Sequence, residues 1–101
     1  MTSKEDHASH FAIEWHPAAV KELEKCDKHV ARKIIQRVDE LRTNPRPVTS
    51  RALVGYSNLF RIRVSDYRIV YTLINERVMI VVLMVGHRRS IYRNLSRSPR
   101  Q

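Results

Sequence analysis

From Phe60 to Tyr71 the chain reads Phe-Arg-Ile-Arg-Val-Ser-Asp-Tyr-Arg-Ile-Val-Tyr, apolar and basic residues alternating around a Ser65-Asp66 break. Period-two alternation on both sides of a two-residue break predicts a β-hairpin. With the break as the turn, Val64 pairs with Tyr67, Arg63 with Arg68, Ile62 with Ile69 and Arg61 with Val70. Side chains two apart on a strand share a face. Arg61, Arg63 and Arg68 therefore project together, and Tyr67 and Tyr71 point the other way into the core.

Upstream, Phe11, Ile13 and Trp15 alternate with Ala12 and Glu14, which predicts a short strand. Pro17 suits the first position of a helix, where its missing N–H costs nothing. Residues 18–25 read as that helix, with Ala19, Val20 and Leu23 inward. Asp27 is placed to cap a second helix, whose Val30, Ile34, Val38 and Leu41 form one apolar stripe. Asn44-Pro45-Arg46-Pro47 ends it near Arg42–Thr43. A loop to Ala52 and a turn at Gly55 lead into strands over 59–64, 67–74 and 77–86. The last is nearly all apolar, as for a strand buried on both faces or central in its sheet.

These elements define an α+β fold, β-α-α-β-β-β, with a helical hairpin packed on one face of a mainly antiparallel four-stranded sheet. The arginines belong to the opposite face. Residues 1–9 read as a flexible leader, 10–93 as one domain and 94–101 as a flexible basic tail. Trp15, Phe60 and the Val/Ile/Leu run supply the core, and Cys26 reads as a small buried residue.

Charge sharpens the picture. Residues 1–50 carry nine Lys/Arg against eight Asp/Glu; residues 51–101 carry ten Arg, no Lys, and only Asp66 and Glu76. A half-chain at +8 is the electrostatic footprint of a polyanionic partner. No apolar run is long enough to span a bilayer, the N-terminus is not a signal peptide, and a single cysteine excludes an internal disulfide. A cytoplasmic location is expected, with no membrane association.

Three like charges across two strands cost about 0.2–1 kcal/mol per opposed pair. An anion removes that cost, and the planar fork of Arg fits phosphate. The chain has no Gly-rich phosphate loop, no metal spacing among its five histidines and no nucleophile elbow. Asp66 and Glu76 both fall at turns, so the basic face lacks the carboxylates that hold Mg²⁺, and no metal or other cofactor is expected. What remains is Arg61, Arg63, Arg68, Arg88, Arg89 and Arg93 with His87 and Tyr92. Arg can clamp phosphate and stabilise a phosphorane but cannot act as a base. Tyr92 and His87 are the groups there able to move a proton, and nearby cations favour a phenolate. RNA carries its own nucleophile, the ribose 2′-OH, so such a site suggests RNA cleavage through a cyclic phosphate.

Leu53-Val-Gly55, the Phe60–Tyr71 hairpin, Val85-Gly-His-Arg-Arg-Ser-Ile-Tyr-Arg93 and the Trp15-to-Pro45 helical hairpin together resemble the RelE/ParE superfamily of bacterial toxins, and within it the RelE branch. The resemblance covers residues 10–93. It implies a metal-independent, ribosome-dependent mRNA endoribonuclease acting in the ribosomal A site, neutralised by a RelB-like antitoxin in a hetero-oligomer. By position it implies Tyr92 as the base on the 2′-OH and Arg61 and Arg63 as phosphate and transition-state contacts. Arg68 and Arg88 become supports for the scissile phosphate and leaving oxygen, while Arg51, Arg89, Arg93 and His87 become further RNA contacts. His87 is the alternative base. Arg stands at 61 and 63 where the family often has Lys, and the segment from Arg88 to Tyr92 is shorter than in some relatives. The alternative activity on the same scaffold is ParE-like gyrase inhibition or catalytically silent binding.

Overall fold

The His16 side chain accepts the Ala18 N–H through Nδ1 at 3.0 Å, and Pro17 takes the first helical position, so the chain leaves β1 (Ala12–Trp15) directly into α1 (Pro17–Lys25). In this computed structural model, which describes residues 10–93, α2 (Lys28–Glu40) follows with Asp27 at its cap position. The Asp27 side chain makes no capping bond; its carbonyl accepts from Ala31 N–H at 2.9 Å. The expected stripe faces inward: Ile34, Val38 and Leu41 are buried, and Val30 packs against them from the edge.

Three antiparallel strands carry the second half: β3 (Leu59–Val64), β4 (Tyr67–Ile74) and β5 (Met79–His87). The β3–β4 register is the one the alternation predicts, from Val64 opposite Tyr67 to Arg61 opposite Val70. Ser65 takes a positive φ of 57° at the turn, the conformation that lets a two-residue connection follow the strand twist. The sheet has five strands, not four: with Arg51–Ala52 as β2, the order is β1-β5-β4-β3-β2. The addition, in the stretch expected to be loop, pairs Arg51 with Arg61 and Ala52 with Phe60. Its partner strand offers an open row of backbone donors and acceptors, and two residues suffice to take them up. β1 runs parallel to β5.

β5 lies inside the sheet, but it is not buried on both faces; its burial alternates. Between Val70 and Tyr71 the β4–β5 register shifts: Val70 faces Met84 and Tyr71 faces Val82. Leu83 is the extra residue. A one-residue bulge reverses which side every later residue of the strand faces.

The core lies between the sheet and the helical hairpin. Ile34, Val38 and Leu41 meet Ile62, Ile69, Tyr71, Ile80 and Val82, with Trp15, Leu23, Cys26 and Tyr67 packed around them. Cys26 and Tyr67 are half-buried rather than central. Tyr71 is fully buried, and its hydroxyl donates to the Pro45 carbonyl at 2.7 Å, tying the loop after α2 to the sheet. Arg46 from the same loop lies 4.6 Å above the Phe60 ring. The expected leader and tail fall outside the described residues. Among those described, no helix is long and apolar enough to cross a membrane.

Candidate functional site

The alternation that buries Phe60, Ile62 and Val64 against the helices sends Arg61 and Arg63 to the opposite face. β4 adds Arg68 across from Arg63, and β2 adds Arg51 across from Arg61. Four guanidinium side chains thus share one face, in two directly opposed pairs. Like charges so placed oppose folding by about 0.2–1 kcal/mol a pair, and nothing in the core requires them.

The rest of the site comes from the chain leaving β5. Gly86 lies opposite Arg68 on that same face, and Ile91 folds back onto it. Val70 and Ile91 are both fully buried, yet they stand apart from the cluster between sheet and helices. Val70 lies on the arginine face by register, and Ile91 covers Gly86 there. The returning segment is also fastened to the hairpin turn: Arg88 N–H donates to the Asp66 carbonyl at 2.7 Å, and Arg88 Nε lies 3.7 Å from Asp66 Oδ1.

Arg61, Arg63, Arg68, Arg88, Arg89 and Tyr92 line an open depression of ≈ 470 Å³. The five guanidinium groups differ in their constraints. Arg68 Nη1 donates to the Tyr67 carbonyl at 3.1 Å, and Arg88 has the Asp66 carboxylate. Among the described residues, the ion pairs leave Arg61, Arg63 and Arg89 without a carboxylate partner. Tyr92 is 42% exposed and lines the depression, so it is not sealed in the core. The basin can therefore clamp a phosphodiester from several sides and offer one phenol for proton transfer.

Three expected site residues do not line the depression. His87 pairs with Tyr67 on the helical face, because the Leu83 bulge has turned it there, and its ring meets Tyr67 edge-on at 5.8 Å. Arg51 adjoins the arginine face, but its Nη1 is held by the Val48 and Ser50 carbonyls, both at 3.1 Å. Arg93 is exposed, outside the depression. Asp66 stands at the hairpin turn as expected, at the edge of the basic face and paired with Arg88. Gly86 and Ile91 carry no chemistry and were not expected to matter. Their sequence signal is slight: a glycine at the end of an apolar strand, and one apolar residue in an otherwise polar stretch.

Two phenols on the helical side are perturbed. Tyr67 is raised above its ordinary value, first by a hydrogen bond with the Cys26 side chain and then by burial. Tyr71 is raised by burial, with a hydrogen bond from Ser50 and the charge of Arg46 acting against it.

Residues 13–92 match the family model described as the ParE toxin of the type II toxin–antitoxin system parDE. A RelE-like toxin protein of Escherichia coli is 32% identical over 89 residues, covering 85% of this chain and 93% of that protein. The mRNA interferase toxin RelE of Escherichia coli K12 is 29% identical over 80 residues, covering 77% and 83% respectively. Among solved structures, an arginine-to-alanine double mutant of E. coli toxin RelE in the free state superposes with a TM-score of 0.72 at 25% identity, covering 89% of this chain and 99% of that one. The toxin in the intact E. coli RelBE toxin–antitoxin complex gives a TM-score of 0.68 at 29% identity, over 76% and 95%. The fold is that of the RelE toxins. The chain belongs to the RelE/ParE superfamily of toxins from type II toxin–antitoxin systems.

Proposed function

We propose that this toxin cuts messenger RNA in the ribosomal A site without a metal, and that a RelB-like antitoxin holds it silent in a hetero-oligomer. The observation that carries the reading is the basin itself: five arginines and an exposed tyrosine around one opening. The E. coli relative named mRNA interferase supports the same activity, and the RelBE complex supports the antitoxin.

The ribose 2′-OH attacks the adjacent phosphorus while the Tyr92 phenol oxygen, acting as general base, takes its proton. An O2′–P bond forms and the P–O5′ bond breaks, leaving a 2′,3′-cyclic phosphate and a 5′-hydroxyl whose proton returns from the phenol or water. Arg61 and Arg63 neutralise the non-bridging oxygens as charge accumulates on the phosphorane, and Arg68 and Arg88 support the scissile phosphate and the departing oxygen. Guanidinium groups provide the positive charge that a metal supplies at other phosphodiester sites. Arg89 contacts a neighbouring phosphate, and Arg51 and Arg93 extend the basic track beyond the basin.

Translating ribosomes carrying a defined message test this directly. Cutting within the A-site codon by the wild-type chain, lost in the combined Tyr92→Phe and Arg61→Ala variant, is the expected result; an intact message overturns it. The family model's ParE description favours a second reading, gyrase inhibition on the same scaffold. Induction in cells separates the two: new mRNA 5′ ends support cleavage, whereas relaxed plasmid DNA with stable mRNA supports gyrase inhibition.

A further inference from the structure

We propose that His87 is a positioning residue, fixing the segment that brings Arg88, Arg89 and Tyr92 to the basin, rather than an RNA contact or a proton carrier; this rests on the basin being the cleavage site. His87 ends β5 and faces away from the arginines, beside Tyr67. From there it serves the backbone. Its Nδ1 accepts the Arg89 N–H at 3.2 Å, and its carbonyl accepts the Ser90 N–H at 3.0 Å. Those are the first free donors of the turn that leads into the helical residues at 91–93. Helix starts need such acceptors, because their first N–H groups have no partner within the helix.

The same device occurs independently in this chain. His16 caps the start of α1 by accepting the N–H two residues ahead through Nδ1, at 3.0 Å. At His87 the ring is additionally braced. It meets Tyr67 at a 76° interplanar angle, and Tyr67, like Cys26 at the end of α1, packs against the core beneath the helical hairpin. A line of contacts thus runs from the helical hairpin through Tyr67 and His87 to the Arg89 backbone.

The neighbours show why this matters. A side chain at residue 86 would press on Ile91, whose Cδ1 lies 2.7 Å from where the added Cβ would be, and residue 88 is fastened to Asp66. Residue 87 sets the path between those two anchors. Displacing a catalytic group by about 1 Å can cost on the order of a hundredfold in rate, so the geometry of this turn reaches the chemistry although His87 does not.

Two substitutions separate the acceptor from the ring. His87→Asn keeps a side-chain oxygen able to accept the N–H two residues on but loses the ring. His87→Phe keeps a ring edge against Tyr67 and has no acceptor. In the full chain, His87→Phe should speed hydrogen exchange at the Arg89 amide by about tenfold, as for a lost cap. It should slow single-turnover cleavage on programmed ribosomes by roughly ten- to a hundredfold without changing the half-saturating ribosome concentration. His87→Asn should stay within about threefold of wild type in both. If the Phe variant does not fold, His87→Ala removes the acceptor without adding volume and is compared with His87→Asn in the same way.

The proposal is overturned if the acceptor-free variant matches wild type, if it and the Asn variant fall together, or if the loss lies in ribosome affinity, as for an RNA contact. Should the wild-type chain not cut mRNA, the functional reading fails, and the exchange of the Arg89 amide still decides whether His87 holds the turn.

Discussion

Ile91 fills the space a side chain at Gly86 would occupy: a Cβ there would stand 2.7 Å from Ile91 Cδ1 and 3.4 Å from Ile91 Cβ. Ile91 is fully buried, so it has little room to yield. Overpacking of this kind costs about 1–3 kcal/mol. Gly86→Val should therefore unseat the segment that bears Tyr92, and Gly86→Ala should do so to a lesser degree. Both should lose mRNA cleavage by a larger factor than they lose stability in urea, because the core on the helical face is untouched. Equal loss of both would show that Ile91 is part of the main core.

The opposed pair Arg63 and Arg68 makes stability and activity move in opposite directions. Replacing Arg63 with Thr removes a like-charge contact worth about 0.2–1 kcal/mol and introduces a good strand former. Thermal unfolding should shift upward and cleavage downward. Arg61→Ala, which deletes a proposed transition-state contact, should reduce the cleavage rate by about 10²–10³-fold, in line with loss of one oxyanion donor. An Arg63→Thr chain that is both more stable and fully active would remove Arg63 from the site.

Tyr92→Phe should leave the unfolding free energy measured in urea unchanged within about 0.5 kcal/mol, since the residue is exposed. The same variant should lose cleavage on programmed ribosomes by about 10²–10⁴-fold, the usual contribution of a general base. Retained cutting would exclude Tyr92 as the base.

High pH should unfold the protein through its helical-side phenols. Tyr71 is raised by burial, and Tyr67 first by its hydrogen bond with Cys26. Both hold their proton more tightly folded than unfolded. Their contribution is fully present below the unfolded value of about 10 and is lost as pH rises through the higher folded values. The urea midpoint should be level between about pH 8 and 9 and fall above about 10, and phenolate absorbance should show late-titrating tyrosines that ionise on unfolding.

Val78 offers a stabilising change. It holds φ at +51° in the turn before β5, a left-handed conformation that costs an L-residue about 1–2 kcal/mol, and it is 42% exposed. Asn tolerates that conformation. Val78→Asn should raise stability by up to about 1 kcal/mol, measured by urea denaturation, with cleavage unchanged.

Much of the fold is legible in the residues themselves. The Phe60–Tyr71 alternation sets the hairpin register, because only one parity buries Ile62, Val64 and Ile69. The α2 stripe and the Asn44-Pro45 stop are equally plain. Arg51–Ala52 could not be read as a strand, since neither residue favours one; the open edge of β3 creates it. His87 was expected among the arginines because Val78–Val85 is apolar throughout and hides the parity of β5. With Ile80 and Val82 against the helices, an unbroken alternation would send His87 to the other face.

Taken alone, the sequence determines the strands, the helices and the arginine face, because each follows from neighbours along the chain and from burying one side of an amphipathic element. Tertiary structure alone decides the Leu83 bulge, the side His87 takes, the seat of Ile91 on Gly86 and hence the place of Tyr92. Those depend on volumes and hydrogen bonds contributed by distant segments, which become neighbours only when the sheet closes.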